Sequence, residues 1–343
     1  MQQIVRNSNL NSKKAAVLVT GGAGYIGSHV VWELFEAGYS VIVLDNLSSL
    51  IQPKLPADII FYQGKIEDSQ LIKKICQDHH IEYVIHLAAS VVVPDSIQYP
   101  LAYYQNNVSA TRCLLEALST TNARHFIFSS SAAVYGQPEL SPVAEDAPLC
   151  PLNPYGRSKL MVEWMLEDLA LVSSLKYVAL RYFNVAGADP QLRCGQQSEY
   201  AAHLITLACK TALAQQPFLK VYGHDYETLD GTCIRDYIHV SDLAKAHLAT
   251  LHYLQAGGES TVLNCGYGHG YSVREVINTF KNKLNINLPY RIEGRRAGDP
   301  AQVIADPRRI QAALRWQPQY DNLGEIIASS YQWELKKIAM RNV

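Results

Sequence analysis

Short apolar, β-branched runs alternate with segments of helical periodicity through the first half of the chain. Residues 15–19, 41–44, 59–62, 84–87, 126–128 and 178–180 read as buried strands. Between most of them, apolar positions recur at three- and four-residue spacing over 26–37, 71–77, 107–118 and 155–171, which predicts helices. Continuous apolar strands separated by helices need cover on both faces, and parallel pairing with crossover helices supplies it. The expected fold is α/β, a doubly wound parallel (Rossmann) sheet over residues 15–187, with ligands beyond the carboxyl ends of its strands. After Gly187 the pattern is less regular, with a helix near 201–214 and a short strand near Val221. A helix–strand stretch (243–254, then 262–264) reads as a return to the main sheet near 237–266. The rest of 188–343 is expected to form mainly a smaller α/β substrate-binding portion packed over the sheet as a lid.

At 343 residues the chain can bury a large core. Its 48% apolar and 18% charged content are ordinary for a soluble globular protein. A formal net charge of −1 gives no electrostatic reason to expect nucleic acid or an anionic membrane as partner. No apolar run approaches the roughly 20 residues that span a bilayer. The seven cysteines are scattered with no Cys-x-x-Cys pair, which predicts reduced thiols and a cytoplasmic setting. The eleven histidines show no metal-ligand spacing, and no metal is expected. Residues 1–14 are polar, lack the apolar centre of an export signal, and are expected to be a loose extension.

Two stretches carry chemistry. The first strand runs into Thr20-Gly-Gly-Ala-Gly-Tyr-Ile-Gly27 and then an apolar helix. Gly21, Gly24 and Gly27 fit a tight turn, close backbone approach to a pyrophosphate, and close helix–strand packing. Asp45 ends the next strand, where a carboxylate accepts adenosine ribose hydroxyls and repels a 2′-phosphate, favouring NAD over NADP. The second stretch is Asn153-Pro154-Tyr155-Gly-Arg-Ser-Lys159. Asn153 is a capping side chain and Pro154 suits the first helical position, so Tyr155 and Lys159 share a face near a helix start. A free tyrosine has a pKa of about 10 and is a poor base at neutral pH. A nearby ammonium and the positive helix end are expected to favour its phenolate. Ser131, closing the run Ser129-Ser130-Ser131, is the third candidate.

With both halves in view, the chain resembles the extended short-chain dehydrogenase/reductase family, and within it the enzymes that invert C4 of a UDP-hexose. The resemblance runs from about Ala16 to Trp333. Beyond the two stretches above, its carriers include Leu44-Asp-Asn46, His86-Leu-Ala-Ala89, Tyr104-Gln-Asn-Asn-Val108 and Arg181-Tyr-Phe-Asn184. Asp230-Gly-Thr-Cys-Ile-Arg-Asp-Tyr-Ile-His-Val240 and Arg295-Arg-Ala-Gly-Asp299 complete the set. It implies Tyr25 and Ile26 against the NAD pyrophosphate, Asp45 and Asn46 at the adenosine ribose, and Leu87, Ala88 and Ala89 lining the cofactor. Asn106 would contact the cofactor, Phe183 would pack near the nicotinamide, and Lys159 would hold its ribose. On the substrate side, Asn184 would bond the diphosphate or sugar, Arg235 and Arg296 would clamp the diphosphate, and Asp299 would take the uridine ribose. It implies Tyr155 as base, Lys159 as the group that lowers its pKa, and Ser131 on the 4-oxygen, in a redox-neutral inversion. Family members usually pair through two helices, and Met161, Trp164, Met165 and Leu169 supply an apolar stripe for a homodimer.

Four positions depart from the family pattern. Gly64-Lys65-Ile66 has a lysine where a carboxylate would meet the adenine, and Val91 replaces a lysine beside the cofactor; both predict looser retention of NAD. His203 stands in for an asparagine near the nucleotide, and Val303 for a bulky tyrosine near the sugar. A smaller Val303 leaves room for an N-acetyl group. Related 4,6-dehydratases need an acid and a base after the catalytic hydroxyl, and UDP-glucuronate decarboxylases tend to carry a glutamate there. This chain has Ser131-Ala132-Ala133, with methyl groups at those places. A non-catalytic NAD sensor would be expected to lack Tyr155 or Lys159, and both are present.

Overall fold

The computed structural model describes residues 15–48, 54–198, 203–296 and 298–341; the predicted extension at 1–14 lies outside them. Six strands follow one another through the first half: β1 Ala16–Thr20, β2 Ser40–Asp45, β3 Ile60–Gln63, β4 Tyr83–His86, β5 His125–Ser131 and β6 Lys176–Tyr182. A seventh, Thr261–Cys265, joins β6, and the sheet runs β3-β2-β1-β4-β5-β6 and then this strand, all parallel. The order reverses between β1 and β4. That switch point opens the ligand crevice of a doubly wound sheet.

The alternation of side chains divides the core in two. Val17, Val19, Val41, Val43, Ile127, Val178 and Leu180 enter one buried cluster. Leu18, Ile42, Leu44, Phe126, Phe128, Tyr177 and Ala179 enter the other. Helices Tyr25–Glu36 and Val240–Gln255 pack together on the first face, while Ser69–His79 and Ala110–Ser119 pack on the second. One strand differs from the reading of the sequence: β3 is not buried, and Ile60 is 40% exposed. It is the edge of the sheet, with a neighbour on one side only.

The remaining elements are small. Asn184–Ala186 pairs with Tyr237–His239; Ile234–Arg235 pairs with Tyr271–Ser272 and Gln302–Val303; Leu219–Tyr222 pairs with Tyr290–Glu293. Buried Asp236 knits them to the main sheet, its carboxylate accepting from the backbone N–H groups of Tyr267, Gly268 and Ala305 at 3.0–3.2 Å. Asp242 does the same for the C-terminal segment, accepting from Tyr267 Oη and from the N–H groups of Gln319 and Tyr320. Burial holds Asp236 up at about 6, against those three bonds. No helix among the described residues is long and apolar enough to cross a membrane.

Candidate active site

The glycine loop lies between β1 and the Tyr25–Glu36 helix. Gly21 has φ +71°, and a Cβ there would stand 2.6 Å from the backbone nitrogen of Ala88, so the loop and the end of β4 meet backbone to backbone. Gly27 is tighter: its Cβ would fall 2.1 Å from the Gly21 carbonyl oxygen. Gly24 caps the helix with no side-chain acceptor, which leaves the first-turn amides of Tyr25 and Ile26 without a side-chain partner from the cap. Free amides at the positive end of a helix suit a pyrophosphate, and the loop fits NAD on that ground. The side chains of Tyr25 and Ile26 have other work. Tyr25 Oη donates to the Gly187 carbonyl at 2.7 Å, and Ile26 packs on the first core cluster, so only their backbone faces the loop's anion site.

Asp45 also serves the loop. Its carboxylate accepts from Ala23 N at 3.0 Å and Leu47 N at 2.8 Å, and burial raises its pKa against those bonds. Asn46 is exposed and caps the Ser48 amide. Leu87, Ala88 and Ala89 follow β4, half-buried beside the loop. Asn106 donates to Ser90 Oγ. Lys65 is exposed and paired with Glu67 at 3.6 Å, whereas Ile66 is buried in the second core cluster. Val91 is also exposed.

The Pro154–Val172 helix starts as its sequence dictates, with Asn153 Oδ1 accepting from Gly156 N at 2.9 Å and Pro154 at the first position. Gly156 is required by contact: a Cβ would stand 2.5 Å from the Ala133 carbonyl oxygen. The helix therefore lies directly on the Ala132–Val134 turn that follows Ser131. Ser131, whose Oγ accepts from Ala133 N at 3.2 Å, is the polar side chain that neighbours the Tyr155 hydroxyl. Lys159, buried at 2% exposure, donates to the Ser129 carbonyl at 2.7 Å. Its Nζ lies 5.9 Å from the centre of the Tyr155 ring and 5.0 Å from that of Phe128.

The electrostatics correct one expectation. Burial lifts the Tyr155 pKa above its ordinary value, and the group that opposes burial is Ser131, not Lys159. Burial also lowers Lys159 to about 7, with Glu163 pulling the other way. Desolvation disfavours each lone charge, so phenolate and ammonium are stable here only as a pair.

A turn of π-helix over Tyr104–Ser109 escaped the sequence reading, which has no signal for one. It sets Asn107 Nδ2 on the Ser90 carbonyl and on Ser158 Oγ, both at 3.0 Å, bracing the tyrosine helix. On the other side of the crevice, Phe183 is buried with Val134, Tyr135, Val143, Leu160, Val303 and Ala305. Asn184 opens the next strand. Arg235 and Asp299, assigned separately to diphosphate and ribose, form an ion pair with each other. Arg296 stacks on Tyr222, 3.8 Å from guanidinium carbon to ring centre. His203 precedes the Leu204–Ala212 helix and has no direct tie to the other candidates among the described contacts.

Fold and site define a dinucleotide-dependent enzyme. The family model described as NAD dependent epimerase/dehydratase family matches residues 17–266, and the chain belongs to that family. It is 48% identical over 318 residues to the UDP-glucose 4-epimerase of Azospirillum brasilense, covering 93% of this chain and 91% of that one. The structure is similar to that of UDP-glucose 4-epimerase from Brucella ovis in complex with NAD, with TM-score 0.90, 42% identity and coverage of 93% and 98%. It is also similar to the UDP-Glc/GlcNAc 4-epimerase of Campylobacter jejuni, with TM-score 0.81, 42% identity and coverage of 94% and 99%.

Replacing Gly27 with alanine is expected to push the loop off Gly21 and weaken NAD binding about tenfold or more, ~1.4 kcal/mol. Calorimetric titration of NAD into stripped protein measures this, and unchanged affinity would exclude the loop from the pyrophosphate site.

Proposed function

We propose that the chain interconverts UDP-glucose and UDP-galactose by inverting C4 of the hexose with no net redox change. The observation that carries this reading is the gathering of Ser131, Tyr155 and buried Lys159, whose Nζ lies 5.9 Å from the Tyr155 ring centre, bordered by the bare methyls of Ala132 and Ala133. Water elimination needs an acid and a base at the place those methyls occupy. Bound NAD supplies the hydride acceptor and donor at C4. Tyr155 takes the proton of the sugar 4-hydroxyl and returns one to the same oxygen after the sugar presents its opposite face. Ser131 holds that oxygen, and Lys159 neutralises the phenolate and meets the nicotinamide ribose. The amides of Tyr25 and Ile26, with Asp45, Asn46, Leu87, Ala88, Ala89 and Asn106, hold the rest of the cofactor. Arg235 and Arg296 present guanidinium forks suited to a diphosphate. Asp299 releases Arg235 to take the uridine ribose, and Asn184 bonds the diphosphate or sugar. Purified protein with UDP-galactose and NAD is expected to yield UDP-glucose. Tyr155→Phe should keep the fold and lose at least ~100-fold in kcat; no interconversion by the unaltered protein sinks the reading.

A second reading concerns the width of the sugar pocket. Val303 shares a small buried cluster with Phe183, and its side chain is shorter than the tyrosine of the family pattern, which supports room for a substituent at C2 of the sugar. On that ground the enzyme also accepts UDP-N-acetylhexosamines. Val303→Tyr is expected to lower kcat/KM for UDP-N-acetylgalactosamine ~100-fold or more while sparing UDP-galactose within a few-fold. Equal losses on both substrates would refute the steric role.

The working form is read as a cytoplasmic homodimer. All seven cysteines are free, as a reducing compartment requires; recovery with exported proteins on cell fractionation would contradict this placement. Exposed Ile97, Tyr99 and Leu101 lie on helical segments that pack beside the Pro154–Val172 helix, which exposes Trp164. Met165 and Leu169 of the predicted stripe pack partly on the second core cluster, so Trp164 is left as the central anchor. Trp164→Glu should convert a dimer into a monomer by light scattering; a monomeric parent protein would dispose of the idea.

A further inference from the structure

Three consecutive residues at the end of β5 are tied to three residues of the tyrosine helix. Ser131 neighbours Tyr155, the Ser129 carbonyl takes the Lys159 ammonium, and Ser130 Oγ donates to the carboxylate of Glu163. The first two ties belong to the reaction. The third has no place in it. Glu163 lies one turn beyond Lys159, is 4% exposed, and touches neither substrate nor cofactor in the reading above.

The surroundings of Glu163 are built. Arg181 of β6 donates to it through Nε at 3.0 Å and Nη2 at 2.7 Å, both groups being almost fully buried. Arg181 Nη1 is held by Tyr135 Oη at 2.8 Å and the Glu145 carbonyl at 3.1 Å, and Tyr135 donates onward to Asn264 of the last strand at 2.6 Å. A buried ion pair adds little net stability over apolar groups of similar size, so stability alone does not account for this one.

We propose that Glu163 is a positioning residue: pinned by Ser130 and Arg181, it fixes the register of the tyrosine helix on β5 and acts as counter-charge that keeps Lys159 protonated beside Tyr155. The groups that face Lys159 are few. From its own helix come Tyr155 and Glu163; from β4 comes His86, which burial and the lysine together lower to about 3, so it is neutral. From β5 comes the Ser129 carbonyl, and from β6 come Tyr182, whose hydroxyl is bonded to His247, and Arg181, already paired. Glu163 is the one carboxylate among them, and it raises the Lys159 pKa against burial.

The inference rests on the epimerase reading, so the parent protein is measured in every assay. The alkaline limb of its kcat profile reports loss of the proton shared by the Tyr155–Lys159 pair. Glu163→Gln is expected to move that limb to lower pH by ~1 unit, lower kcat and leave KM for UDP-galactose within about twofold. Lysine Cε NMR titration of Lys159 should show the same displacement without turnover. Because the amide leaves Arg181 buried and unpaired, Glu163→Gln/Arg181→Met, which removes both charges, is the deciding variant. Glu163→Asp, retaining the charge, should restore most of the limb's position. A folded double variant with the parent's limb and NMR titration overturns the proposal and leaves Glu163 a structural ion pair. Failure of the double variant to fold, with Glu163→Gln showing the parent's limb and NMR titration, also overturns it in favour of a structural role. A parent protein with no epimerase activity fails the earlier reading, and the NMR titration still decides this one.

Discussion

An ammonium buried in the centre of the molecule is the constraint from which the rest of the site follows. A charge in a low-dielectric interior is costly unless each of its partners is present. Lys159 has one neutral acceptor, the Ser129 carbonyl, and one charged neighbour, Glu163. That carboxylate is itself buried and is stable because Arg181 grips it twice. Arg181 in turn occupies Tyr135 and the Glu145 carbonyl, and Tyr135 and the Glu145 carboxylate meet Asn264. The chain of obligations therefore runs from the reacting group, through β5 and β6, to a strand contributed from near residue 264. The late return of the chain to the sheet is part of the site's electrostatics, not only of its shape.

Much of this was legible in the sequence because it rests on local rules. Apolar runs and helical spacing gave the six strands and the order of the sheet's helices, and Asn153-Pro154 gave the start of the tyrosine helix to the residue. The glycine loop was legible for the same reason: tight turns and close approaches demand glycine wherever they occur. What failed depended on partners distant in the chain. The β3 strand looks apolar enough to be central, yet nothing in its own residues says that no strand follows it outward. The π-turn that carries Asn107, the Glu163–Arg181 pair and the backbone bonds to Asp236 likewise involve neighbours well separated along the chain. Arg235 and Asp299 were read as two separate ligands, and their pairing became visible only when strands 234–235 and 302–303 were brought side by side.

That pairing bears on how the substrate side works. An arginine and an aspartate that neutralise each other form a closed contact, and a dianionic diphosphate competes for the arginine on better terms than a single carboxylate. In the proposed reading, their exchange of partners would make substrate entry an electrostatic substitution, with the freed carboxylate available to a sugar hydroxyl. The buried acids nearby do not take part. Asp236 and Asp242 have their oxygens on backbone amides and a tyrosine hydroxyl, so they hold the framework around the Arg235–Asp299 pair.

Cofactor side and substrate side are also joined by a shorter route. Tyr25, at the head of the glycine-loop helix, donates to the Gly187 carbonyl, and the Gly187 amide receives Ser330 Oγ as its acceptor from the C-terminal helix. Gly187 is the residue at which the regular strand–helix alternation stops. Its φ of +95° and the His239 ring against its α-carbon leave no room for a side chain. The first turn of the loop helix is thus tied, through one glycine, to the C-terminal helix and to the strand that follows β6, so the loop, the end of the main sheet and the last helix share a single backbone junction.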